Sequence, residues 1–270
     1  MRVAMAQISS GTDPAENLEL VAAATERAAA GGAELVVFPE ATMCRFGVSL
    51  GPIAQPLDGP WADGVAEIAA RNGVGVVAGM FTPDGDRVKN TLLAVTPDGE
   101  RAGYDKIHLY DAFGFAESRT VAPGAEPVII TVAGCRVGLA TCYDIRFPRL
   151  FTTLARAGAD LIVVPASWGA GPGKVHQWQT MATARALDST AFVAAVGQAE
   201  PADPQVAASG APTGIGHSRI TDPFGSVVAE YGSAPEVGVH DIDLAAVGKA
   251  RTALAVLDNE QHITEPRLAF

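Results

Sequence analysis

The chain has 270 residues, of which 48% are hydrophobic and 18% charged, with 19 lysines and arginines against 30 aspartates and glutamates for a formal net charge of −11. That composition excludes a disordered or collagen-like chain, and an acidic balance with no long basic block argues against a nucleic-acid partner. No apolar run approaches the roughly 18 residues of a membrane span, and the opening MRVAMAQISS reaches Gln7 before a signal-peptide core could form, so a cytoplasmic protein without a membrane partner is expected.

Apolar, β-rich segments alternate with helical patterns along the whole chain, which is the pattern of an α/β fold. A strand is predicted over residues 3–6. The helix after it has a readable start, with Asp13 placed to cap, Pro14 suited to the first helical position and Glu16 at capping-box spacing; Gly31 and Gly32 end it. Strands are then predicted over residues 35–38, 74–78 and 91–95, with a helix over 61–71 and a short strand around Gly103 and Tyr104. Further strands are predicted at 128–132, 137–140, 161–164, 192–196, 218–221, 227–229 and 237–242, and helices at 149–157, 175–187 and 244–257. About eleven main strands exceed one comfortable open sheet, so two packed sheets are expected. With no internal repeat or linker, residues 1–270 are expected to form one domain. The longest irregular stretches, 44–59, 109–126 and 199–216, are where functional loops would sit.

The three cysteines, Cys44, Cys135 and Cys142, form no C-x-x-C pair and are odd in number, which disfavours a disulfide framework or a structural zinc site. Cys44 and Cys135 fit loop and strand packing. Cys142 stands elsewhere, at a strand end, in a polar turn Thr141-Cys142-Tyr143-Asp144-Ile145-Arg146-Phe147-Pro148. Two more strand ends carry charge: Pro39-Glu40 after Leu35-Val36-Val37-Phe38, and Asp105-Lys106-Ile107-His108 after Gly103-Tyr104. Singly, each has an ordinary alternative as a solvated glutamate, a surface lysine or a small buried thiol. Jointly, three reactive groups beyond strand ends describe a ligand site of an α/β sheet. A thiol attacks an acyl carbon as thiolate, so it needs a base for its proton or a cation beside it, and Glu40 and Lys106 are those two groups.

On VVFPE ending at Glu40, YDKIHLYD containing Lys106 and LATCYDIRFPRL containing Cys142, the chain resembles the nitrilase superfamily of carbon–nitrogen hydrolases. The resemblance extends to PASW ending at Trp168, to HQWQTMATARALDSTAFVAAVGQ and to GHSRITDPFGSVVAE. It implies a four-layer αββα sandwich of two mixed β-sheets flanked by helices, commonly paired into a homodimer. It also implies amide hydrolysis through a thioester on Cys142, with Lys106 and the Tyr143 N–H holding the oxyanion and Glu40 moving protons, without metal or organic cofactor. A second glutamate is implied between the lysine and cysteine motifs, and Glu117 in FAESRT fits that place, the alternative being a loop glutamate.

KIHLYD, CYDIRFP and GHSRITDPFG look most like the branch of ω-amidase and deaminated-glutathione amidase, which act on the terminal amide of 2-oxo acids such as α-ketoglutaramate. A small-molecule amide is therefore the expected partner. Arg146 and Lys174 are candidates for its carboxylate, and Trp168 for the pocket wall; the alternatives are a structural salt bridge for Arg146 and an exposed loop position for Lys174. A general aliphatic amidase, an N-carbamoyl amino acid hydrolase and a non-catalytic binding protein of this fold stay open. Gly169 to Lys174 imitates a phosphate loop, but Trp168 and Val175 stand where that loop needs glycine and a hydroxyl residue. His108, His176 and His217 are read as structural or as pocket-edge residues.

Overall fold

The computed structural model describes residues 1–265, 267 and 268. In chain order its elements are β1 (Arg2–Gln7), α1 (Pro14–Ala30), β2 (Leu35–Val37), α2 (Pro60–Asn72), β3 (Gly75–Asp84), β4 (Arg87–Val95), β5 (Arg101–Asp105), β6 (Ile129–Val132) and β7 (Cys135–Leu139). They continue as α3 (Pro148–Arg156), β8 (Leu161–Ala166), α4 (Lys174–Ser189), β9 (Phe192–Gly197), α5 (Pro204–Ala207), β10 (Arg219–Thr221), β11 (Val227–Glu230), β12 (Glu236–Asp241) and α6 (Ala245–Leu254).

The strands form two six-stranded sheets, ordered β12-β1-β2-β3-β4-β5 and β11-β10-β9-β8-β7-β6. In each, three central strands run parallel, β1 to β3 in one and β7 to β9 in the other, with antiparallel strands at the margins. The pleat sorts side chains by layer. Val3 and Met5 of β1 and Val163 of β8 face the other sheet, where Leu35, Val37, Leu92, Val137 and Phe192 join them. Ala4 and Ala6 turn to the opposite face under α1 and α2, against Val21, Ala28, Trp61, Val65 and Ile68. On the second sheet Ile162, Val164 and Val193 meet Phe151 and Leu154 of α3 and Trp178 and Ala182 of α4. The result is the expected αββα sandwich, and it explains why β8 reads as an unbroken apolar run: both its faces are covered.

The α1 cap forms as expected, with Asp13 accepting from Ala15 N at 2.8 Å, while Glu16 stands exposed in the first turn. Other boundaries moved. β3 and β4 run on into a long hairpin through Asp84 and Arg87, well past the predicted 74–78 and 91–95, because cross-strand pairing carries the polar residues Thr82 and Lys89 along. The last helix stops at Leu254 rather than 257, where Ala255 takes a left-handed φ of 49°. The loop 199–216 holds the short helix α5, capped by Asp203 on Gln205 N.

Because Leu161 and Ile162 are both fully buried on opposite faces of β8, Leu161→Ala and Ile162→Ala are each expected to cost about 2–5 kcal/mol. Urea unfolding monitored by circular dichroism measures this. A near-neutral result for either one would show that its face of the sheet is not covered.

Candidate active site

Four strands deliver their C-terminal ends to one pocket. Glu40 follows β2, Lys106 follows β5, Cys142 follows β7 and Ser167 follows β8. The pocket holds about 390 Å³ of empty space including its open mouth. Tyr110, Tyr143, Arg146, Trp168 and Lys174 also line it, so the structure brings all eight residues singled out from the sequence to one place.

Its base is an ionic cluster almost closed to solvent. Lys106 Nζ lies 2.9 Å from Glu40 Oε1 and 2.9 Å from Glu117 Oε2, and the three side chains are at most 3% exposed. Burial alone would discharge the ammonium, but the carboxylates of Glu117 and Glu40 outweigh it and hold Lys106 well above the usual lysine range. Glu40 Oε2 accepts from Ser167 N at 2.8 Å, and Glu117 Oε2 from Tyr110 N at 2.7 Å. Asn90, which sequence reasoning missed, donates through Nδ2 to Glu40 Oε1 at 2.7 Å and to Glu117 Oε1 at 3.0 Å. In the sequence it stands between Lys89 and Thr91 in the polar first half of β4, where nothing sets it apart. Gly79 on β3 makes room for the Glu40 turn, since a Cβ there would stand 2.5 Å from Ala41 N and 2.8 Å from the Glu40 backbone.

Cys142 sits above this cluster with φ of +46°, a left-handed conformation that costs a non-glycine residue about 1–3 kcal/mol unless its surroundings impose it. Here they do. The buried Asp144 carboxylate accepts from Thr141 N at 2.9 Å, Tyr104 OH at 2.7 Å and His108 N at 2.9 Å, with His108 Nδ1 at 2.7 Å. Arg185 of α4 donates to Ile145 O at 2.9 Å. Burial and the facing Asp144 push the Tyr104 phenol well up, so it stays a donor. The turn Cys142–Arg146 is therefore pinned from both sheets and from α4, and Tyr143, at its second position, presents an N–H with no acceptor inside the turn. Burial, then the nearby Glu40 carboxylate, push the Cys142 thiol well up against the opposing pull of Lys106. It rests as a neutral thiol that needs a base, and Glu40 faces it.

At the mouth, Arg146 gives Nη2 to Gln177 Oε1 at 2.7 Å and stacks 5.2 Å from the Trp168 ring centroid. Among the described residues Arg146 makes no salt bridge. Lys174 is half-buried and lies 3.8 Å from the Phe113 ring centroid; burial, then the Arg146 charge, lower its pKa. Trp168 Nε1 donates to Lys174 O at 3.2 Å. Among the histidines, His108 stacks on Phe147 at 3.7 Å beside Asp144, His176 is exposed on α4, and His217 gives its carbonyl to Trp178 Nε1 at 2.9 Å. None lines the pocket. Cys44 and Cys135 are buried away from it, with burial raising their thiols to about 11 and about 12. Among the described residues no group of three or more His, Cys, Asp or Glu is arranged to hold a metal ion, and no helix is long and apolar enough to cross a membrane.

Residues 2–252 match the family described as Carbon-nitrogen hydrolase. A Mycobacterium tuberculosis H37Rv protein named Hydrolase Rv0480c is 60% identical over 96% of this chain and 95% of its own length. The deaminated glutathione amidase of Escherichia coli O157:H7 is 35% identical over 97% of each chain. Among solved structures, XC1258 of Xanthomonas campestris, a CN-hydrolase superfamily protein with an arsenic adduct in the active site, matches with a TM-score of 0.84 at 29% identity, covering 98% of this chain and 99% of that one. Sandwich, strand-end pocket and sequence agree, and the chain belongs to the carbon–nitrogen hydrolase family of the nitrilase superfamily, enzymes that hydrolyse carbon–nitrogen bonds other than peptide bonds.

Proposed function

We propose that this enzyme is an amidase that releases ammonia from the terminal amide of a small carboxylate-bearing substrate, of the 2-oxo acid amide class, through a thioester on Cys142. The observation that carries this reading is the pinned Cys142 turn standing in one pocket with the buried Lys106 and its two glutamates. Sγ attacks the amide carbon while Glu40 takes the thiol proton. Lys106 Nζ and the Tyr143 N–H hold the developing oxyanion in a site where the low dielectric strengthens both contacts. Collapse of the tetrahedral intermediate breaks the carbon–nitrogen bond, Glu40 returns its proton to the departing nitrogen, and ammonia leaves a thioester. Glu40 then takes a proton from water, the resulting hydroxide attacks the thioester, and the acid departs as Cys142 recovers its proton. Glu117 orients Lys106 and keeps it charged.

The substrate class rests on Arg146 and Lys174. Both face the pocket, the Arg146 charge bears on Lys174, and neither is salt-bridged among the described residues. Two cations at the pocket mouth, with no carboxylate paired to either among the described residues, favour an anion between them. The name of the deaminated glutathione amidase relative supports the same choice. The family resemblance further supports a homodimer.

Ammonia release should be at least tenfold more efficient, as kcat/KM, from α-ketoglutaramate or deaminated glutathione than from simple aliphatic amides, N-carbamoyl amino acids or nitriles. Cys142→Ala should lower it by about a thousandfold or more. Turnover surviving in Cys142→Ala would remove the nucleophile from the scheme, and preference for neutral amides would make the enzyme a general aliphatic amidase.

A charge-assisted hydrogen bond contributes about 1.5–3 kcal/mol, so Arg146→Met and Lys174→Met are each expected to lower kcat/KM for the carboxylate-bearing substrate about 10- to 100-fold. A neutral amide of similar size should lose little. Equal losses on both substrates would show that these cations act on the fold or the chemistry rather than on the carboxylate.

A further inference from the structure

Asn90 touches three of the four groups on which the proposed chemistry rests. Its backbone carbonyl accepts from Lys106 N at 2.9 Å. Its single amide nitrogen donates to Glu40 Oε1 and to Glu117 Oε1, the two carboxylates that also hold Lys106 Nζ. The side chain is fully buried, and on β4 it projects with Leu92 toward the second sheet. The amide can stand only this way round, because the reverse would set Oδ1 against two carboxylate oxygens. In this orientation Oδ1 is buried without a partner among the described residues. An uncompensated buried acceptor is unfavourable, so the retained contribution of this side chain lies in its two N–H bonds.

Two carboxylates whose oxygens converge on one nitrogen repel one another, and such pairs ordinarily share a proton. One ammonium balances only one of them. The titratable and charged groups facing the pair are Lys106 after β5 and Cys142 after β7, with Tyr110, Arg146 and Lys174 across the pocket. Lys106 Nζ is hydrogen-bonded to both carboxylates, and the Cys142 thiol reaches Glu40.

We propose that Asn90 is a positioning residue that keeps Glu40 and Glu117 ionised together on Lys106, so that Glu40 is free to act as a base toward Cys142. The proposal rests on the amidase reading for its meaning in catalysis, but it concerns an acid–base state of the free enzyme. Donation to the charged form stabilises that form. Withdrawing both donors therefore favours a proton shared by the pair over two ionised carboxylates.

The test is the pH dependence of iodoacetamide alkylation at Cys142, read by peptide mass mapping between pH 4 and 9, which requires no knowledge of the substrate. Wild type and Glu40→Gln define the limb due to the carboxylate base. Asn90→Leu removes the amide, and Asn90→Asp keeps its shape while exchanging donors for an acceptor, so that at least one variant retains the packing. Both variants are expected to move the midpoint of that limb upward by about one pH unit or more, which slows alkylation about tenfold at pH values well below the wild-type midpoint. Superposition of either folded variant on the wild-type profile, with only thermal stability lost, would overturn the proposal and leave Asn90 a structural residue. Ammonia release by the wild-type enzyme is assayed in parallel. Its absence would count against the amidase reading alone, because the shift in the alkylation profile is read without turnover.

Discussion

Everything at the site depends on one buried ammonium. Lys106 is 2% exposed, and an isolated charge in such a place costs several kcal/mol, whereas removing one partner from a buried pair costs about 3–5 kcal/mol. The lysine is tenable only because Glu40 and Glu117 reach it from different parts of the chain, one after β2 and one in the turn Glu117–Arg119. The carboxylates in turn rest on Ser167 N, Tyr110 N and Asn90. Misplacing any of these elements would leave charge buried and unpaired, so the charges the chemistry requires also specify how the strand ends and loops must meet.

The Cys142 turn is held by a second buried carboxylate with a different task. Asp144 collects donors from the Thr141 backbone, Tyr104 and His108, and so ties the Cys142 turn of one sheet to β5 and its exit in the other. That cross-sheet tie lets Cys142 adopt a left-handed φ and aim its thiol over Lys106 and Glu40. Two sheets thus place Glu40, Lys106 and Cys142, and the loop carrying Phe113 and the start of α4 at Lys174 form the more exposed rim.

Much of this was legible in the residues. The unbroken apolar runs of β1 and β8 show that both strands are covered on both faces, and Asp13-Pro14 marks the start of α1. Glu40, Lys106 and Cys142 could be found because each follows a strand and carries a group that strand packing does not require. Asn90, Asp144 and Ser167 were not recognised because their roles are three-dimensional: a mid-strand amide, a turn aspartate and a backbone N–H acquire meaning only when the sheets stack. The extended hairpin of β3 and β4 was underestimated for a related reason, since its polar end is held by pairing rather than by burial. His108 lies in a polar motif like a catalytic histidine, yet its ring is committed to Asp144 and Phe147.

The central claim, that a thiol carries the acyl group between two half-reactions, is tested most directly by partitioning with hydroxylamine. A carboxylate-bearing amide and the methyl ester of the same acid would be hydrolysed in its presence, and the ratio of hydroxamate to free acid measured for each. A shared thioester on Cys142 predicts the same ratio from both substrates, because the leaving group has already gone when water and hydroxylamine compete. A ratio that changes with the leaving group, or release of acid with no hydroxamate at any concentration, would contradict it and point to direct attack by water.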